Sequence, residues 1–244
     1  MKFQFIGCGD AFGTGGRFNT CFRVEHSAGS FLIDCGASSM VALHQHGVDP
    51  NSIRTIFITH LHGDHFGGLP FFLLDAQLYS RRTGPLTIAG PYGLEERLAQ
   101  TQEVLFPGSS EAKRKFEVEV IELAPSETRE VHGVAVSTHP MRHPCGAPPH
   151  GLRLTVDGRT VAYTGDTEWN EDIIPLGRGA DLFVVECLFY DKAVPHHLNY
   201  ASIRKNLDRI GARRVVLTHF GPEMMANRHL ASEELAEDGK VIEL

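Results

Sequence analysis

Ile56-Phe57-Ile58-Thr59-His60 and Val215-Val216-Leu217-Thr218-His219 are both short apolar runs that finish on Thr-His. Residues 134–139 finish the same way, and Val161-Ala162-Tyr163 runs into Thr164-Gly165-Asp166. Runs this short and this rich in β-branched residues suit buried strands better than helices. In α/β proteins, side chains at the carboxyl ends of central strands converge in space. The echo therefore predicts a sheet protein in which four strand ends offer imidazole or carboxylate to one common point.

The rest of the chain fits such a scheme. Residues 2–6, 21–25 and 31–33 read as a meander. Residues 53–58, 86–89, 116–123, 131–138, 152–156, 160–163, 182–185 and 215–217 read as further strands. Asp157-Gly158 is a hairpin turn signal between two of them. Helices are expected over 38–46, opened by a serine cap and closed by Gly47, and over 69–79, 94–105 and 201–210. With no linker or low-complexity tract, residues 1–244 are expected to form one domain.

Composition excludes some function classes. The net charge of −7 argues against a surface built to hold nucleic acid, which needs clustered Lys and Arg. Lys113-Arg114-Lys115, the densest basic stretch, is flanked by acidic residues and reads as a solvated turn. No stretch approaches the ~20 apolar residues of a membrane helix. Nothing resembling a signal-peptide core precedes residue 10. Five cysteines, odd in number and without a CxxC pair, point to a reducing, cytoplasmic compartment.

His60-Leu61-His62-Gly63-Asp64-His65 carries the chemistry. In an extended segment His60 and His62 point the same way, so both imidazoles can grip one ion. Asp64 and His65, on the turn that Gly63 permits, can face a second ion. Imidazole with carboxylate is the ligand set of zinc, and also of iron or manganese. Thr138-His139-Pro140-Met141-Arg142-His143 offers two further candidates, and His150 lies just beyond.

This run resembles the signature of the metallo-β-lactamase-fold hydrolases. Gly7-Cys8-Gly9-Asp10, with Gly13–Gly16 and Asn19-Thr20, is similar to the glycine-rich segment of their ribonuclease Z-like and phosphodiesterase branch. Phe31-Leu32-Ile33-Asp34-Cys35-Gly36, Tyr163-Thr164-Gly165-Asp166-Thr167 and Leu217-Thr218-His219 resemble later motifs, so the likeness spans essentially the whole chain. It implies an α/β (α+β) fold, a four-layer αββα sandwich, and a hydrolase using two divalent metal ions, zinc foremost, with manganese or iron as alternatives. One ion would be held by His60, His62 and His143, the last favoured over His139 because a Gly-Leu-Arg-Leu strand follows it. Asp64, His65 and His219 would hold the second, and Asp166 would bridge both around a water or hydroxide. Asp34 would fix a ligand imidazole, its alternative reading being a turn cap before Gly36.

His196-His197-Leu198 resembles the place where the phosphodiesterase branch keeps a proton-donating histidine. His197 fits best, with Glu186 as the acid that orients it, while His196 reads as an exposed loop histidine. Asp64 counts among both the catalytic and the metal residues. Asn19 and Thr20 read either as pocket lining or as turn residues. Ribonuclease Z enzymes grip transfer RNA with a long basic arm; here His143 and Asp166 are too close for one, leaving room for a single hairpin. The expected substrate is a small phosphodiester. The alternatives are an ester, thioester or lactam hydrolase, an armless ribonuclease Z-like nuclease, or a non-enzymatic metal sensor. The resemblance also implies a homodimer; no membrane partner is expected.

Overall fold

The computed structural model describes residues 1–244. Strands β1 (Lys2–Gly7), β2 (Cys21–His26) and β3 (Gly29–Ile33) form the expected antiparallel meander, with Phe5 opposite Phe22 and Phe22 opposite Ile33. Helix α1 (Ser39–Gln45) then leads to β4 (Ile53–Phe57), which lies parallel to β3. One helical turn, α2 (Gly63–Phe66), and α3 (Leu69–Leu78) lead to β5 (Leu86–Pro91). Helix α4 (Leu94–Leu105) follows, then β6 (Val118–Leu123).

The second half repeats the plan. Strands β7 (Thr128–Val131), β8 (Val134–Pro140), β9 (His150–Val156) and β10 (Arg159–Tyr163) form a meander. Helix α5 (Ile173–Gly177), β11 (Leu182–Glu186), α6 (Tyr200–Ile210), β12 (Val215–Thr218) and α7 (Pro222–Asn227) follow. Strand β13 (Glu234–Leu235) closes this sheet, and β14 (Val241–Glu243) returns to the far edge of the first beside β1. Each sheet has seven strands, ordered β14-β1-β2-β3-β4-β5-β6 and β13-β12-β11-β10-β9-β8-β7.

Alternating inward residues hold the sheets face to face: Phe3, Phe5, Phe22, Phe31 and Phe57 of one meet Leu152, Tyr163 and Val184 of the other. The Phe22 and Tyr163 rings cross between the sheets edge-on, 5.0 Å apart. Ile56 and Leu32 point outward beneath α1, α3 and α4, and Phe183 and Leu217 lie beneath α5 and α6. The layers are helix, sheet, sheet, helix, as the α/β sandwich reading required.

Three details differ from the sequence reading. The run 131–138 is split by a hairpin turn, because His132 and Gly133 both take left-handed φ (49° and 81°). Ser38 does not cap α1; its hydroxyl accepts the Asn19 N–H at 2.7 Å. Strands β13 and β14 were missed because they are two and three residues long. All five cysteines are free and buried. No helix is long and apolar enough to cross a membrane.

Candidate metal centre

Strand β4 ends in the core, which fixes the backbone that carries His60. Residues 58–62 form a short connection with bends at Thr59 and His62, and α2 then turns Asp64 and His65 inward. The turn packs against residues 34–37: a Cβ on Gly36 would lie 2.1 Å from the Asp64 carbonyl oxygen and 2.5 Å from Asn19 Cβ. Only glycine allows that approach. Across the cleft, Asp166 follows β10 and His219 follows β12. His143 lies three residues beyond β8, held by its Nδ1–H, which donates to the His196 carbonyl at 3.0 Å.

These segments bring seven side chains together. His60, His62 and His143 form one group, and Asp64, His65, Asp166 and His219 form another, the donor atoms within each lying no more than 4.8 Å apart. His143 Nε2 lies 2.9 Å from His62 Nδ1. His219 Nε2 donates to Asp64 Oδ2 at 3.1 Å, and His65 Nε2 lies 3.3 Å from Asp166 Oδ1. Asp166 faces both groups, with Oδ2 4.0 Å from His60 Nε2 and 3.9 Å from His143 Nε2.

A small network behind the donors sets their tautomers. Asp34, fully buried, accepts from His65 Nδ1 at 2.7 Å, from Thr59 N at 2.8 Å and from the Thr59 hydroxyl at 2.8 Å. That hydroxyl in turn receives His60 Nδ1–H at 3.1 Å. Both rings therefore turn Nε2 toward the centre. Thr59 was read from sequence only as part of the strand echo; its link between Asp34 and His60 carries no signal in a single chain. Asp34 and His219 also hold left-handed φ of 60° and 63°, unusual for residues with a side chain.

The charges show what the site wants. Burial holds His60 well below the usual imidazole range and pulls His143 down to about 4, so both rings are neutral. His219 moves oppositely: against burial, Asp166 and the hydrogen bond to Asp64 lift it to about 9. Against their own burial, the neighbouring His65 and His219 hold Asp64 and Asp166 below the usual carboxylate range. Such carboxylates bind a cation in competition with protons. His60 Nε2, His65 Nε2, His219 Nδ1 and Asp166 Oδ1 are buried without a hydrogen-bond partner. Orphans of this kind are costly unless something else satisfies them. Imidazoles with two carboxylates suit a divalent metal, which would displace the protons of His65 and His219, and the residues present fit one.

His197 borders the centre, grouped with His143 and Asp166. Its Nδ1 pairs with Glu186 Oε1, and the other Glu186 oxygen accepts Thr167 N–H at 2.8 Å. Burial works against a protonated His197, yet the Glu186 hydrogen bond outweighs it and raises the imidazole above its ordinary value. His139 stays outside the cluster, so the expected fourth strand end is corrected: the donor comes from the loop after β8, because His139 points along the β8–β9 pairing beside Gly151. His150 is spent on the Leu123 carbonyl at 3.2 Å. The His196 ring is exposed as expected, but its carbonyl orients His143, a backbone role invisible in residue type. Asn19 serves the turn, its side chain bonding Ser38 N–H and the Asp10 carbonyl.

The family model described as "Anti-Pycsar protein Apyc1" matches residues 1–242. Ribonuclease Z of Agathobacter rectalis is 24% identical, over 93% of each chain. Human short-form tRNase Z (ELAC1) superposes with a TM-score of 0.81 at 26% identity, over 100% of this chain and 99% of that one. The metallo-β-lactamase fold protein YhfI from Bacillus subtilis, at 21% identity and a TM-score of 0.79, covers 99% and 98% and shares the fold. The chain is thus a metallo-β-lactamase-fold protein, similar to ribonuclease Z. Homology and the His/Asp cluster together fit a metal-dependent hydrolase.

Proposed function

We propose, from the premise that this chain belongs to the anti-Pycsar protein Apyc1 family, that it hydrolyses a small phosphodiester with the help of two divalent cations. His60, His62 and His143 would hold one cation, Asp64, His65 and His219 the other, and Asp166 would serve both. When bound, such a pair supplies Lewis acidity and lowers the pKa of water toward neutrality, with zinc the best match to the donors and manganese or iron close alternatives. The observation that carries the phosphodiester reading is the His197–Glu186 pair beside those two groups.

Glu186 accepts from His197 Nδ1 and raises the ring above its ordinary value, so the protonated ring would carry a second N–H, at Nε2, to offer a leaving group. An alkoxide is a poor leaving group, and a positioned acid there contributes about 10²–10⁴-fold. Glu186 is itself locked by the Thr167 and Leu198 N–H groups, which fixes the ring's aim. The segment between His143 and Asp166 is filled by the β9–β10 hairpin. A polynucleotide therefore meets no arm there, and the charge of −7 disfavours it further. The same pairless cysteines support a reducing, cytoplasmic setting.

The test combines metal content with a substrate panel. Freshly purified protein should carry up to two divalent ions per chain and cleave bis-p-nitrophenyl phosphate and a cyclic or linear dinucleotide-sized diester. Precursor transfer RNA, a thioester and a β-lactam should be poor substrates. Turnover of the thioester or lactam with no phosphodiester cleavage would overturn the reading. Asp166→Ala should lose most of the bound metal by elemental analysis; two ions still present per chain would remove Asp166 from its shared position.

A further inference from the structure

A cavity of about 480 Å³ lies at the opposite pole from the metal centre. It is lined by the starts of three neighbouring strands, the middle one of which leads to His60: Ser30 on β3, Arg54 and Thr55 on β4, and Thr87 on β5. Thr55, within β4, and Thr59, just beyond it, are at most roughly 13 Å apart at about 3.3 Å per residue. His132, in the β7–β8 turn of the other sheet, closes the far side. A volume of this size accepts a nucleotide-sized molecule.

Its chemistry differs from the rest of the surface. The chain has 30 acidic residues, yet none lines the cavity, while Arg54, Arg82, His26 and His132 all do. Arg82 is buried, and its guanidinium is consumed by backbone carbonyls, Pro50, Ile53, Gly84 and Pro85 among them. Four of its five N–H donors are spent this way, and although Asp49 acts on it from a distance, no carboxylate pairs with it, so its charge makes the cavity attractive to anions. Arg54 lies against the bare backbone of Gly29, where an added Cβ would stand 3.5 Å from its Cδ and Nε. The arginine ion pairs of the molecule all lie elsewhere, so the Arg54 fork is free. His132 Nε2 pairs with the Thr87 hydroxyl at 2.8 Å. Glu119, mostly exposed where water screens it, stands at the rim: its Oε2 accepts the Thr87 hydroxyl at 3.2 Å and lies 3.9 Å from His132 Nε2.

We propose that this cavity is a second, non-catalytic binding site for a phosphorylated small molecule of about nucleoside monophosphate size, with Arg54 and His132 holding its phosphate. Arginine's planar fork suits a phosphate's oxygens, and the Thr55 hydroxyl at the wall adds a further polar contact. The phosphate-distal part of the ligand would lie against Pro85 and the His26 ring, which packs on Phe31 at 5.8 Å.

Phenyl phosphate is the probe, titrated into the metal-loaded protein while amide resonances are followed by NMR. Gly29, Thr55 and Gly84 should shift and saturate below about 10 mM, whatever the resonances around His60 do. Arg54→Glu should weaken that saturation by at least about tenfold, the loss of one charged hydrogen bond. His132→Ala should weaken it in the same direction. Benzoate, matched in ring and charge sign, should bind at least about tenfold less well. Both substituted side chains are solvent-facing, so folding survives and is checked by the unchanged resonances of β10 and β12. No shift at the cavity, or shifts that persist in Arg54→Glu, would overturn the proposal. Equal binding of benzoate would overturn the phosphate assignment.

Discussion

Asp34 and Glu186 do similar work at the two ends of the centre, each using one buried carboxylate to fix an imidazole. Their difference lies in what the imidazole then offers. His65, held through Nδ1, turns Nε2 toward Asp64 and Asp166, whereas His197 in the proposed role would offer a proton to the leaving group. The distinction is testable on His197, because only an acid responds to the leaving group. His197→Ala is expected to retain its metal and to slow diesters with alkyl leaving groups by about 10²–10⁴-fold. Esters of p-nitrophenol, which leave without a proton, should slow far less. Equal slowing of both in steady-state assays would reduce His197 to a positioning group.

The elements explain what the sequence could and could not tell. Strand ends were legible because a buried apolar run stopping at Thr-His has a period and a chemistry at once. The third histidine was legible only by likeness, since His139 continues the same strand pattern and the chosen His143 lies in a loop. Contacts between distant loops, such as residues 34–37 against α2, leave no local pattern at all. Gly36→Ala tests that contact. The added methyl overlaps the Asp64 carbonyl, so a cost of about 1–3 kcal/mol is expected. In a chain of this size that is a melting point lower by roughly 2–12 °C by calorimetry, with weakened metal binding. At the edge of the second sheet, Arg214 and Lys240 clamp Glu234 and hold it down at about 2. A depressed carboxylate stabilises the fold above its unfolded pKa near 4.5 and loses that contribution as pH falls toward 2. The Tm difference between wild type and Glu234→Gln should thus be present at pH 7 and shrink between about pH 4.5 and 2. The effect is small, because the pair is largely exposed.

On the scale of the whole molecule, the centre is a seam. His60, His62, Asp64 and His65 belong to the first sheet, and His143, Asp166 and His219 to the second. Cations held there would tie the two halves of the sandwich at one pole, adding to the aromatic packing between them. Ligand binding to the native state alone adds about 4 kcal/mol at a thousandfold excess over Kd. Exhaustive chelation should therefore lower the melting point by several degrees and restore it on adding zinc, by scanning calorimetry; an unchanged Tm would mean that the sheets do not depend on the tie. The left-handed backbone at Asp34 and His219 has a consequence for anyone selecting hardier variants. Glycine at either place would relax the backbone, but at 34 it would strand the buried Thr59 and His65 groups and at 219 it would remove an imidazole from the seam. The two kinks are thus a tension that the pole keeps because its own chemistry holds it there.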